Sequence, residues 1–178
     1  MEPVTRGRGA AAAGLVVGAL LASCGSPEPP NAPADATSPN ATPGGAAQPI
    51  ATAEDFAGVE AEPVESYLAQ AWVAEADLAR GELLAYACRA CHAFHADEDN
   101  PLGPNLAGVF GRRAGTGDFD YSEAMRNVDL AWTPEALEAW LANPSQFVPG
   151  TKMAFTGYQS AADRRDLIAY LLRQTAAP

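Results

Sequence analysis

Four side chains able to ligate a metal or run thiol chemistry fall within eight residues of the stretch AYACRACHAFHAD: Cys88, Cys91, His92 and His95. No other feature constrains the fold so tightly, because two thiols and an imidazole this close must face one common object. Three objects compete for that place: a zinc ion, a redox-active dithiol and a haem.

Closed zinc sites draw their second ligand pair from well beyond the first, and four ligands packed into eight residues leave little chain to wrap the ion. A thioredoxin-type dithiol needs C-x-x-C at the start of a helix in a βαβ context, which is absent. Haem attachment answers the spacing best: in C-x-x-C-H two thiols form thioethers to the vinyl groups while the adjacent histidine reaches the iron. A second stretch, NPSQFVPGTKMAF, offers a partner ligand. A thioether from Met153 on the far side of the iron would favour the ferrous state. Met1 belongs to the leader and Met125 has no such loop, whereas Met153 follows the turn Pro149-Gly150-Thr151-Lys152. A lone loop methionine without the haem motif would read as core filler.

The first residues read as an export signal. Arg6 and Arg8 form the positive region, Ala10 to Ala22 the apolar one, and LASC closes it. As a helix the apolar stretch would rise only about 20 Å, short of a ~30 Å hydrocarbon core. LASC has the form of a bacterial lipobox, making residues 1–23 a lipoprotein signal peptide and Cys24 the lipid attachment site. The alternative is an ordinary cleaved signal that happens to precede a cysteine. Export places Cys88 and Cys91 in an oxidising compartment, where an idle pair tends to become a disulfide. The 22 acidic against 11 basic residues, with Lys152 the sole lysine, disfavour nucleic acid as a partner.

From Gly25 to Ile50 the chain is almost wholly Pro, Ala, Gly, Ser, Thr and Asn, a composition that buries no core. Residues 24–71 are expected to form a lipidated N-terminus and tether, with 51–71 open to either linker or a short helix, and 72–178 to form the domain. The run VAEADLARGELLAYA predicts a helix leading into the cysteines, and Gly81 inside it calls for a close-packing reason. Asn100 to Asp120 is rich in Gly and Pro and predicts loop. WTPEALEAWLANP predicts a short helix with Thr133 as N-cap, Pro134 at its first position and a stop at Asn143-Pro144. Ser160 and Asp163 cap a last helix with Leu167, Tyr170 and Leu171 on one face. The reading is all-α with long loops, and loops of this length imply a large apolar cofactor at the centre.

CRACH, GPNLAGVFGR, YSEAMRN, WLANPSQFVPGTKM and DLIAYL occur in that order between about Asp77 and Gln174. In this the chain resembles the class I cytochromes c, in their mitochondrial-like branch found also in bacteria. The resemblance implies one haem c on Cys88 and Cys91, with His92 and Met153 as iron ligands. It implies that the Pro104 carbonyl accepts from His92, and that Arg112, Tyr121 and Trp132 bond the haem propionates. It also implies that Thr151 holds the methionine loop, and that Gly81 and Tyr170 meet where the first and last helices cross. Two positions depart from the family: Trp140 stands where a tyrosine is usual near the methionine sulfur, and Met125 where an asparagine is frequent. An indole donates but does not accept, so the internal polar network must differ. His95 matches no family ligand and is expected at the surface, and DEDN (97–100) is expected to be a solvated turn.

The function implied is single-haem electron transfer on the periplasmic side of a bacterial membrane, without enzymatic activity. Its partners would be membrane complexes such as a cytochrome bc complex and a terminal oxidase or reaction centre. The alternatives are a haem subunit of an oxidase or dehydrogenase complex, and a peroxidase or gas-binding protein with an open sixth position. Gly25 to roughly Ser66, about 40 residues, would give the tether a typical span of about 35 Å.

Overall fold

The computed structural model describes residues 51–99 and 102–176. Cys24, the signal segment and the Gly25–Ile50 tract lie outside the described residues. Among the described residues a 3-10 turn at Ala53–Phe56 precedes seven helices: α1 (Val64–Leu68), α2 (Ala71–Glu75), α3 (Leu78–Arg89), α4 (Glu123–Arg126), α5 (Pro134–Ala142), α6 (Pro144–Phe147) and α7 (Ala161–Gln174). Strand-like pairing among the described residues is limited to one antiparallel bridge, Arg113 to Ala131. The architecture is all-α with long loops, as its sequence implies.

The caps fall where their chemistry requires. Thr133 Oγ1 accepts from the Ala136 N–H at 3.1 Å with Pro134 opening α5, and Ser160 Oγ accepts from the Asp163 N–H at 3.2 Å. Asn143 both ends α5, in an extended conformation, and caps α6 by accepting from the Gln146 N–H at 3.2 Å. The helix expected to run through VAEADLARGELLAYA is broken at Ala76-Asp77. Asp77 turns its carboxylate back to the Arg80 N–H at 3.0 Å, and a capping aspartate competes with helix continuation.

The crossing of α3 and α7 forms the structural centre. A Cβ placed on Gly81 would lie 2.3 Å from the Asp166 carbonyl oxygen and 2.8 Å from Tyr170 Cβ, so only glycine lets the backbones meet. Beyond Leu167, Tyr170 and Leu171, α7 also buries Ile168, Ala169 and Leu172.

Packed structure begins earlier than Trp72. Ala53 and Tyr67 are buried, and the Phe56 ring lies 5.7 Å from Phe147. Residues 51–71, open in sequence to linker or short helix, therefore carry short packed turns. The extension escapes a periodicity reading because each of its turns has four or five residues and presses a few side chains onto a surface that the rest of the chain provides.

Candidate haem site

Cys88 occupies the last turn of α3, and its carbonyl accepts from both the Cys91 N–H (3.0 Å) and the His92 N–H (2.9 Å). One turn of backbone thus holds both thiols and the imidazole together. The Cys91 carbonyl accepts from Leu102 (3.2 Å) and Gly103 (2.7 Å), which draws the following loop beneath the histidine. His92 Nδ1 donates to the Pro104 carbonyl at 2.7 Å, leaving Nε2 as the nitrogen able to ligate. A Cβ on Gly103 would sit 2.6 Å from His92 Cε1, so the loop is shaped to the flat ring.

Electrostatics and geometry together favour the haem reading over the other two. Burial, aided by the Arg112 charge, holds the His92 pKa below its ordinary value against the opposing pull of Pro104, giving the neutral imidazole that an iron ligand must be. Burial pushes the Cys88 thiol up to about 11, which makes it a poor redox nucleophile. Zinc fails on geometry. Among the described residues no three His, Cys, Asp or Glu side chains converge on a metal position, and exposed His95 turns instead to Glu98, Nδ1 to Oε1 at 3.1 Å.

The acidic turn after the motif does more than face solvent. Asp97 and Asp99 are exposed, but the Glu98 carboxylate accepts from the backbone N–H groups of Phe94 (2.9 Å) and His95 (3.2 Å). Those bonds and the His95 ring hold its pKa down to about 2. Asn105 completes the knot: its Nδ2 donates to the His95 carbonyl at 2.8 Å, and its side-chain oxygen accepts from Ala107 at 2.7 Å. The sequence reading missed these two residues, since a lone Glu or Asn in a loop carries no periodic signal. Asn100 lies outside the described residues.

On the other wall, Arg112 reaches the carbonyls of Asn105 (2.8 Å) and Ala107 (3.3 Å), and burial lowers its pKa. Among the described residues no carboxylate pairs with it. A partly buried guanidinium bound only to neutral carbonyls suits an anionic group arriving from outside the polypeptide, as a propionate would. Trp132 sits beside it through the backbone, its N–H donating to the Arg112 carbonyl at 3.0 Å. Tyr121 is partly buried, and its pKa is raised by that burial against the Arg112 charge. The three residues expected at the propionates are thus joined to one another by backbone or charge.

Met153 is half-buried against the core, and its N–H donates to Thr151 Oγ1 at 3.2 Å, which gives Thr151 its expected place in the loop. Gly150 adopts φ 91°, a conformation suited to glycine. Met125 lies elsewhere, buried in α4 with its N–H donating to Ser122 Oγ. Trp140, the departure from the family, is buried between Trp132 (5.5 Å between centroids) and Phe147 (6.0 Å), so packing replaces a hydroxyl network there.

The family model described as Cytochrome c matches residues 78–175. This chain belongs to the cytochrome c family. Similar proteins include the cytochromes c of Theileria annulata, 43% identical over 100 residues (56% of this chain, 87% of the relative), and of Tetrahymena pyriformis, 45% identical over 100 residues (56% and 90%). That of Gibberella zeae is 39% identical over 105 residues, covering 58% of this chain and 99% of its own. As a family member this cytochrome c carries one covalently attached haem c, on Cys88 and Cys91. The family match begins at Leu78, and the packed turns of residues 51–77 precede it.

Proposed function

We propose that this cytochrome c is a lipid-anchored electron carrier on the periplasmic side of a bacterial membrane, meeting its partners by confinement more than by charge. When bound, the haem would supply the one-electron couple. The chain's own residues that would hold it are His92, oriented by Pro104, and Met153, seated by Thr151, as iron ligands, with Arg112, Tyr121 and Trp132 at the propionates. Two protein ligands to the iron would disfavour substrate chemistry there, which supports a carrier rather than an enzyme. The LASC sequence at Cys24 supports the anchor.

The observation that carries the confinement reading is the internal use of positive charge. Lys152 Nζ lies 2.6 Å from Asp120 Oδ2, and Arg126 lies 3.7 Å from the same carboxylate. Arg80 pairs with Asp163 at 2.9 Å, Arg164 with Glu138 at 2.6 Å, Arg165 with Glu75 at 3.4 Å, and Arg113 with Asp129. Each pair adds little stability at the surface, but together they cancel the field that would steer an acidic partner. Near the haem thiols the chain instead exposes Leu83 and Tyr86 on α3, and Leu102 beside Cys91. Partners of the kind expected are a cytochrome bc complex as donor and a terminal oxidase or reaction centre as acceptor.

The test compares turnover of native membranes by the lipidated protein and by a soluble form starting at Ala51, across a salt series. The lipidated form should be faster at equal total concentration and nearly insensitive to salt. Equal rates, or a steep loss of the tethered rate with modest salt, would defeat the reading.

A further inference from the structure

The segment ahead of the family domain ends against the loop that carries Met153. Thr52, Ala53 and Glu54 line one cleft of about 260 Å³ together with Ala124, Val148 and Pro149. The turn is held in shape by its own cap, since Asp55 Oδ2 accepts from the Thr52 N–H at 2.7 Å and from Thr52 Oγ1 at 3.2 Å. Ala53 is buried, and the Phe56 ring meets Phe147 with centroids 5.7 Å apart.

Phe147 is the foot of the methionine loop. It is 1% exposed, it ends α6, and the chain continues through Val148 to a turn in which Thr151 N–H donates to the Val148 carbonyl at 3.1 Å. Thr151 in turn receives the Met153 N–H. On the far side of Phe147 an aromatic file continues inward to Trp140 and Trp132, while a Cβ on Gly150 would lie 3.3 Å from Ala124 Cβ. The loop is thus seated on α4 and braced by the extension, and any outward swing of Met153 that moves Phe147 must also break its contact with Phe56.

We propose that Phe56, presented by the capped turn Thr52–Phe56, is a positioning residue for Met153: it braces Phe147 and so keeps the methionine loop closed on the iron. The proposal rests on the reading of Met153 as the distal ligand. Only the open-loop fraction can accept a competing ligand, so the apparent affinity for that ligand reports the opening equilibrium. Loss of one well-formed aromatic pair shifts such an equilibrium by up to about tenfold.

The experiment uses the full-length ferric haem protein at fixed pH, titrated with imidazole while the far-red sulfur-to-iron charge-transfer band is followed. Phe56→Ala should bind imidazole more tightly than wild type by about two- to tenfold, with Phe56→Leu restoring part of the difference. Trp72→Ala loosens the other end of the extension, where Trp72 stacks under Arg165 at 5.9 Å. It should lower the denaturation midpoint and leave imidazole affinity unchanged. Wild-type affinity in Phe56→Ala would overturn the brace, as would an equal shift in Trp72→Ala, which would mean general loosening. Met153→Ala separates the two readings. If it lacks the band and binds imidazole tightly while Phe56→Ala matches wild type, only the brace fails. If Met153→Ala keeps the wild-type band, the ligand reading fails and the brace falls with it.

Discussion

Replacing Gly81 by alanine sets two known effects against each other at one atom. Inside a helix alanine is favoured over glycine by about 1 kcal/mol, so an uncrowded site would gain stability. At this crossing the new methyl would lie 2.3 Å from the Asp166 carbonyl oxygen, 2.8 Å from Tyr170 Cβ and 2.9 Å from the Asp166 carbonyl carbon. Two of the three atoms are backbone, so relief requires α3 and α7 to separate by about 1 Å, and overpacking of this kind costs about 3 kcal/mol at the upper end of its usual range. The difference is a net loss of about 2 kcal/mol, or about 1 M in the urea midpoint at an m-value near 2 kcal/mol/M. The assay is equilibrium denaturation of the haem-loaded protein, followed by far-ultraviolet circular dichroism. Tyr170→Gly in the same background, which removes the Cβ that alanine would keep, should not rescue it relative to Tyr170→Gly alone, because the Asp166 carbonyl remains. Gly81→Ala within about 0.5 kcal/mol of wild type would refute the close crossing, and rescue by Tyr170→Gly would refute the backbone origin of the cost.

Haem should stay with the polypeptide through acid-acetone extraction, and Cys88→Ala or Cys91→Ala should impair maturation; free extraction from wild type would contradict covalent attachment. Met153→Ala should admit carbon monoxide to the ferrous protein and lower the reduction potential, whereas His95→Ala should do neither. Glu98 has a folded pKa of about 2 against an ordinary 4.5, so its contribution is whole above about pH 4.5 and is lost as pH falls toward 2. Glu98→Gln should therefore flatten the acid limb of the stability profile in that window and lower stability at neutral pH, as read by denaturant midpoints at a series of pH values. Cys24→Ala should abolish acylation, as checked by mass spectrometry of the mature N-terminus.

How much of this could be read beforehand depended on whether a residue's reason was local. Thr133, Pro134, Asn143 and Ser160 act within a turn of their own position, so composition and spacing exposed them. His92 and Pro104 lie twelve residues apart and meet because Leu102 and Gly103 bond the Cys91 carbonyl; only the family resemblance, and no pattern in the loop, made that contact legible. The contact of Gly81 with Asp166 and Tyr170 spans most of the domain; a glycine inside a helical run announced that something came close, the resemblance named Tyr170, and only the structure adds the Asp166 carbonyl. Glu98 and Asn105 act through backbone groups, which leave no trace in side-chain periodicity. The extension was the least legible part. Ala53, Phe56 and Tyr67 pack one at a time on a surface made by later residues, so the acidic residues and scattered apolar side chains of 51–71 left linker and short helix equally open.

The packed turns alter the physical case for confinement. A linker from Gly25 to roughly Ser66 would have given the domain about 35 Å of typical span. With Thr52–Phe56 packed on the methionine loop, linker composition is left to the 26 residues from Gly25 to Ile50, for which the same scaling gives about 30 Å. A domain of this size has a radius of gyration near 14 Å, so that reach still roughly matches its width and lets it turn its α3 face toward a neighbour in the membrane. On the proposed anchor, a smaller sampled volume would raise the effective concentration of the domain at the membrane, toward the millimolar range that short linkers give. Charge steering raises association rates by about 10 to 1,000-fold and fades with salt. Among the described residues Lys152 and five of the eight arginines are already paired, so such a carrier forgoes that gain, and confinement on the proposed anchor would replace it without depending on ionic strength. A packed extension that leaves less chain for the linker would strengthen the replacement.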